Sequence, residues 1–131
     1  MQRGPVSGER SLVERFRSAF RGMRRAVASE KNFRIHFLVA GAVLVAAAVL
    51  GAEPWQWAVL SLSIATVLVA EIFNTAIERL AKAVTDQHNE HVRDALDIAS
   101  AAVLAAALMS SVVGALILGW RLGIFLGLWP N

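Results

Sequence analysis

The chain has 131 residues, of which 56% are hydrophobic and 18% charged, with a mean hydropathy of +0.55. That balance excludes an ordinary soluble domain and leaves one small membrane domain. Cysteine is absent, which excludes disulfide staples, thiolate zinc sites and thiol chemistry. The net charge of +3 is uneven, because nine of the thirteen Lys and Arg residues lie within the first 34 positions. Such a block suits a cytoplasmic face or an anionic lipid surface, and no nucleic-acid partner is expected. A cleaved signal peptide is not expected either, since the charged stretch is too long and no small-residue cleavage site follows it.

Residues 1–10, rich in Gly, Pro and Ser, read as a mobile tail, and residues 11–131 as a single domain. From Ser11 onward Leu12, Phe16, Ala19, Phe20, Met23 and Val27 recur at helical spacing, while Arg15, Arg17, Arg21, Arg24 and Arg25 occupy the remaining positions. Ser11 and Glu14 stand in capping-box positions. The pattern predicts a basic amphipathic helix over about 11–30, lying on a membrane surface. A helix packed on soluble protein is the bland alternative, and little soluble protein remains for it to pack on.

Phe37 to Ala52 carries no charge and, with Arg34 to His36, reaches a spanning length of roughly twenty residues, so a first span is expected over 34–52. Gly51 ends it, Pro54 suits the first turn of the next helix, and Glu53 sits beside that positive helix end. The second span, 55–84, would be roughly 45 Å long, more than a bilayer core of about 30 Å, so it must protrude into water. A polar connection around 85–97 leads to a third span over 92–120, uncharged from Ile98 to Trp120. The early basic block together with Arg79, Lys82 and Arg93 marks the cytoplasmic side, and Trp55, Trp57, Trp120 and Trp129 then fall near the outer interface. The alanine-rich runs near Ala46 and Ala105 predict close helix packing. The expected architecture is all-α: a surface helix followed by three transmembrane helices, with the N-terminus cytoplasmic.

Glu71 follows seventeen uncharged residues and still lies within the apolar run. A carboxylate at such depth costs several kcal/mol unless protein or water answers it, which marks it as a functional candidate. From Trp55, Glu71 lies about 24 Å along the helix and Glu78 about 34 Å, so the first falls just inside the cytoplasmic boundary and the second just outside. The two share one face to within roughly 20°, and Asn74 lies on that face as well. Asp97 and Glu30 bring acids from the other two spans to the same level. An oxygen-only ligand set suits magnesium held together with substrate phosphates, and a carboxylate at headgroup depth can take a lipid hydroxyl's proton. Together these point to phosphoryl transfer to a lipid. The structural alternatives are a solvated helix end for Glu78, a helix cap for Asp97 and an interhelical hydrogen bond for Glu71.

The segments "EKNFRIH" (30–36), "EIFNTAIE" (71–78) and "DIASAAVL" (97–104) resemble the three signature segments of the prokaryotic diacylglycerol kinase and undecaprenol kinase family of small integral-membrane lipid kinases. The likeness covers roughly residues 12–118 in the right order, and "NFRIH" is closer to the undecaprenol kinases. It implies a homotrimer in the bacterial inner membrane with sites shared between subunits. It implies also that ATP is co-substrate, that Glu71 is the base, that Glu30 and Glu78 hold the metal ions, and that Asn74 and Asp97 line the nucleotide site. Two positions depart from the family pattern: Leu96 stands where a lysine usually precedes the aspartate, and Lys82 where many members carry an aspartate. Lys82 either supplies the phosphate-facing charge that Leu96 lacks or anchors among headgroups, and in the second case catalysis is weakened.

No phosphate-binding Gly-rich loop with a following lysine occurs, so phosphates must be held by metal and helix residues. His88 and His91 have the spacing of a helical metal pair but read as solvated. His36 reads as an interfacial anchor rather than a proton carrier. The rival class is a non-catalytic membrane protein, such as a cation-binding assembly or transport subunit. A transporter calls for ionisable groups through the membrane, whereas here every acid but Glu53 lies at or beyond the cytoplasmic boundary.

Overall fold

In the computed structural model, which describes residues 11–29, 31–85 and 87–130, the chain forms four helices: α1 (Leu12–Ser29), α2 (Lys31–Val49), α3 (Pro54–Val84) and α4 (Glu90–Phe125). The expected tail, 1–10, and Glu30 lie outside the described residues. Helix α1 starts with the reciprocal cap expected of Ser11 and Glu14, in which each backbone N–H donates to the other's side chain, at 3.0 and 3.3 Å. Its Leu12, Phe16, Phe20 and Met23 are exposed, and Arg17, Arg21 and Arg25 line a polar surface hollow with Glu14 and Ser18. Helices α2, α3 and α4 are each long and apolar enough to cross a membrane.

The turn from α2 to α3 is short because Gly51 accepts φ +68°, a left-handed conformation that L side chains rarely adopt. The Gly51 N–H bonds to the Ala48 carbonyl and the Ala52 N–H to that of Ala47, which closes the helix in a Schellman turn. Pro54 then opens α3, where its missing N–H and fixed φ cost nothing. Glu53 accepts from Trp55 Nε1 at 2.9 Å while its own N–H donates to Gln56 Oε1 at 2.8 Å.

Helix α4 is longer at both ends than the expected 92–120. It begins at Glu90 because Asn89 caps it, the side-chain Oδ1 accepting from the N–H groups of His91 and Val92, so the connection from α3 shrinks to Thr85–Asn89. It continues past Trp120 to a second Schellman turn around Gly127, at φ +72°. Arg121 does not end the span because its charge is used inside the bundle. The guanidinium donates to the Leu50 carbonyl at 3.2 Å and to the Gly51 carbonyl, and lies 3.5 Å from Glu53 Oε1.

Arg121 thereby ties the end of α4 to the α2–α3 turn and satisfies carbonyls that a helix end leaves open. All four tryptophans collect at this end. Trp120 and Trp129 stack at 5.8 Å, and Trp57 packs on the small buried core of Ala47, Leu60 and Ile117. Helix α4 runs beside α3 as the most extensive pairing, joined midway by Ser110 Oγ donating to the Ser63 carbonyl at 3.0 Å. Helix α2 closes the third side.

Arg121→Ala should lower the thermal midpoint of the detergent-solubilised protein by the equivalent of about 2 kcal/mol, since a charged donor to two carbonyls is lost. Glu53→Gln should cost well under about 1 kcal/mol, because the ion pair is partly exposed. Thermal denaturation followed by circular dichroism checks both; equal losses would show that the ion pair, and not the carbonyl cap, holds the turn.

Candidate active site

On α3 the residues Glu71, Asn74, Thr75 and Glu78 recur at three- and four-residue steps, which stacks them along one face. That face turns into the bundle: Glu71 is 1% exposed, Thr75 3% and Asn74 6%, while Glu78 at the far end is half-buried. The amide nitrogen of Asn74 donates to Glu78 Oε1 at 2.8 Å, one turn along the helix. This bond fixes the orientation of the Asn74 amide and aims its oxygen away from Glu78. Glu71 Oε2 lies 3.9 Å from His36 Nε2, across the α2–α3 interface.

Three buried oxygens in this column have no hydrogen-bond partner among the described residues: Glu71 Oε1, Asn74 Oδ1 and Thr75 Oγ1. Such groups are rare in folded proteins, because each forfeits its water contacts without replacement. Three on one face form a strip of electron pairs that no donor among the described residues answers. No Lys or Arg among the described residues approaches the Glu71 oxygens within 4.0 Å.

Beside the column lies a cavity of about 330 Å³ with walls from all three spans, including Val39 and Val43 of α2, Val67 of α3, and Ser110 and Gly114 of α4. Its lining is predominantly hydrocarbon, and His36 stands at its rim. One imidazole therefore borders both the apolar space and the buried carboxylate.

The remaining candidates are not drawn into this cluster. Asp97, at the start of the third turn of α4, and Lys82, near the end of α3, are exposed and make no hydrogen bond or ion pair among the described residues. Glu30 lies outside the described residues, and no group of three or more His, Asp or Glu side chains converges as a metal site among those described. His88 and His91 are both exposed at the α3–α4 connection. Leu96, at the position that departs from the family pattern, is half-buried on α4.

Thr75 of the column and the neighbouring His36 of α2 escape sequence reasoning. Thr75 was detectable, since it follows Glu71 by four residues on the same helix face. His36 was not detectable as a neighbour of Glu71, because its partner sits on another helix 35 positions later and no spacing rule links them.

Comparison with known proteins shows the family of the chain. The sequence model for the prokaryotic diacylglycerol kinase family matches residues 17–118. A diacylglycerol kinase of Synechocystis sp. is 38% identical over 109 residues, covering 82% of this chain and 62% of that protein. An undecaprenol kinase of Bacillus subtilis is 32% identical over 112 residues, covering 82% of this chain and 91% of that protein. The chain thus spans about three fifths of the first relative and nearly all of the second. The matched segment runs from within α1 almost to the end of the third span and contains the whole oxygen column, and by that measure the chain belongs to the prokaryotic diacylglycerol kinase family.

Proposed function

We propose that this chain is a lipid kinase that transfers the γ-phosphoryl group of ATP, with magnesium, to the hydroxyl of a membrane lipid at the cytoplasmic leaflet. The observation that carries the reading is the buried Glu71 carboxylate with an unpartnered oxygen, on a membrane-length helix and one turn from the Asn74–Glu78 pair. A family member built this way places a base inside the apolar zone and hard oxygen donors just beyond it. Its acceptor is undecaprenol or diacylglycerol, the alcohols for which the two relatives are named.

Glu71 is the base in this reading. Its free Oε1 takes the hydroxyl proton as the lipid oxygen bonds to the γ-phosphorus, and the bond from that phosphorus to the β,γ-bridging oxygen breaks with its electron pair leaving on ADP. Burial supports the role because it keeps water from competing with the lipid hydroxyl for the carboxylate oxygens. The donor types fit magnesium: the Glu78 carboxylate is a hard oxygen donor held by the Asn74 amide, and Glu30 would add a second from the start of the first span. A magnesium ion bound there with ATP supplies neutralisation of phosphate charge. Asp97 lines the nucleotide side, and Lys82 gives it a cation.

Incomplete convergence of these residues within one chain suits a homotrimer, in which a neighbouring copy completes the site. The basic hollow of Arg17, Arg21 and Arg25, together with the exposed Leu12, Phe16, Phe20 and Met23, suits α1 to lie as an amphipathic helix on the anionic inner face of a bacterial inner membrane, with the N-terminus cytoplasmic.

The direct test is transfer of labelled phosphate from ATP to a panel of polyprenols and diacylglycerols; a chain that labels none is a non-catalytic cation-binding subunit instead. In the same assay Glu71→Gln should lose transfer by a factor of about 10² or more while remaining folded. Glu71→Met should melt higher than wild type, by the equivalent of about 1 kcal/mol, because a buried uncompensated carboxylate is replaced by hydrocarbon. A folded Glu71→Gln protein with near-normal turnover would remove Glu71 as the base.

Glu78→Gln should raise the magnesium concentration needed for half-maximal rate several-fold, which a magnesium titration at fixed ATP measures. Lys82→Ala should raise the KM for ATP more than that for the lipid. A change confined to lipid affinity would assign Lys82 to the headgroups.

A further inference from the structure

We infer that His36 is the residue through which the buried Glu71 passes its proton to solvent, a positioning residue that acts on the reaction through the base; the inference rests on the lipid-kinase reading above. Glu71 and His36 face each other across the α2–α3 interface with Oε2 and Nε2 3.9 Å apart, and the two side chains differ sharply in exposure, 2% against 23%. The carboxylate is sealed; the imidazole keeps an open edge. An anchor at the membrane interface would turn its ring toward the headgroups, whereas this ring is turned into the bundle, where it also lines the apolar cavity between the three spans.

The need for such a residue follows from the burial. Each phosphoryl transfer to an alcohol releases one proton: the hydroxyl hydrogen goes to Glu71, the lipid oxygen keeps the phosphoryl group, and ADP leaves with the electron pair of the broken bond. A carboxylate cut off from water would then stay protonated, and the next acceptor would meet an acid where a base is required. Among the described residues, His36 is the only basic side chain within 4.0 Å of the Glu71 oxygens. Lys31 and Arg34, on the same helix, are exposed.

A neutral imidazole accepts the proton from the Glu71 carboxyl at Nε2, becomes imidazolium, and releases a proton to water through its exposed edge. Glu71 is then a carboxylate again, with no atom or charge left over. The gap of 3.9 Å exceeds a hydrogen bond by under 1 Å, so a small rotation of either side chain or one bridging water closes it.

The test uses the full chain in detergent–lipid micelles with a polyprenol acceptor, comparing wild type, His36→Gln, His36→Ala and Glu71→Gln. His36→Gln keeps the shape and a hydrogen bond but carries no proton; it should lower kcat by about tenfold or more while the KM for ATP stays within about twofold. Added imidazole should restore part of the kcat of His36→Ala and none of that of Glu71→Gln. A wild-type kcat in His36→Gln, or a loss in His36→Ala that imidazole does not lift, would overturn the role and leave His36 as a packing residue. The kinase reading fails separately: a wild-type chain that labels no lipid sinks both, whereas active wild type with an unaffected His36→Gln sinks only this inference.

Discussion

A helix in hydrocarbon gains nothing from hiding apolar side chains against its neighbour, because the lipid is as apolar as the partner. Everything that holds α2, α3 and α4 in one arrangement has to come from close packing and from polar groups with nowhere else to go. This chain uses both. Ala47 meets Leu60 and Ile117 near the α2–α3 turn, and Ser110 bonds to the Ser63 carbonyl near mid-span. Arg121 of α4 reaches the open carbonyls of Leu50 and Gly51. With α3 and α4 aligned and the α2–α3 turn clamped, the far ends of α2 and α3 are brought to a set position. There the only close polar meeting across that interface among the described residues is His36 with Glu71.

The two ends of the bundle are therefore built on opposite principles. At the Arg121 end, polar atoms find partners: two Schellman turns, a reciprocal Glu53–Gln56 contact and a guanidinium shared between two carbonyls. At the Glu71 end, three buried oxygens are left without partners. Burying a carboxylate without a hydrogen-bond donor costs several kcal/mol, more than most single contacts return. Such a cost is retained where chemistry needs it, since a site made of satisfied groups has no electron pairs to offer a proton or a cation. Partnered polar groups are concentrated at one end, and unpartnered buried oxygens at the other.

The large apolar surface left exposed on all three spans belongs to the same division. Leu38, Val45, Leu62, Leu104, Leu108 and Leu116 face outward, with no core of this chain to cover them. In a bilayer that surface meets acyl chains or further copies of the protein, and it offers a long-chain alcohol a direct approach from the lipid phase. The cavity beside His36 lies among these helices, with a lining that is mostly hydrocarbon.

Much of this was legible in the amino-acid order. Three spans follow from unbroken apolar length, the tight α2–α3 turn from Gly51 and Pro54, the reciprocal cap on α1 from Ser11 and Glu14, and the shared face of Glu71, Asn74 and Glu78 from the helical repeat, because each depends on residues only a few positions apart. The full length of α4 is not legible in this way, since a charged Arg121 looks like a helix end until its partners are known, and those partners lie about 70 residues earlier. The contact of His36 with Glu71 is likewise hidden from local spacing, because 35 positions separate the two. Local spacing decides which residues share a face; only the crossing of α2 on α3, set by packing and polar ties between distant segments, decides which face meets which, and so gave the buried glutamate a histidine for its neighbour.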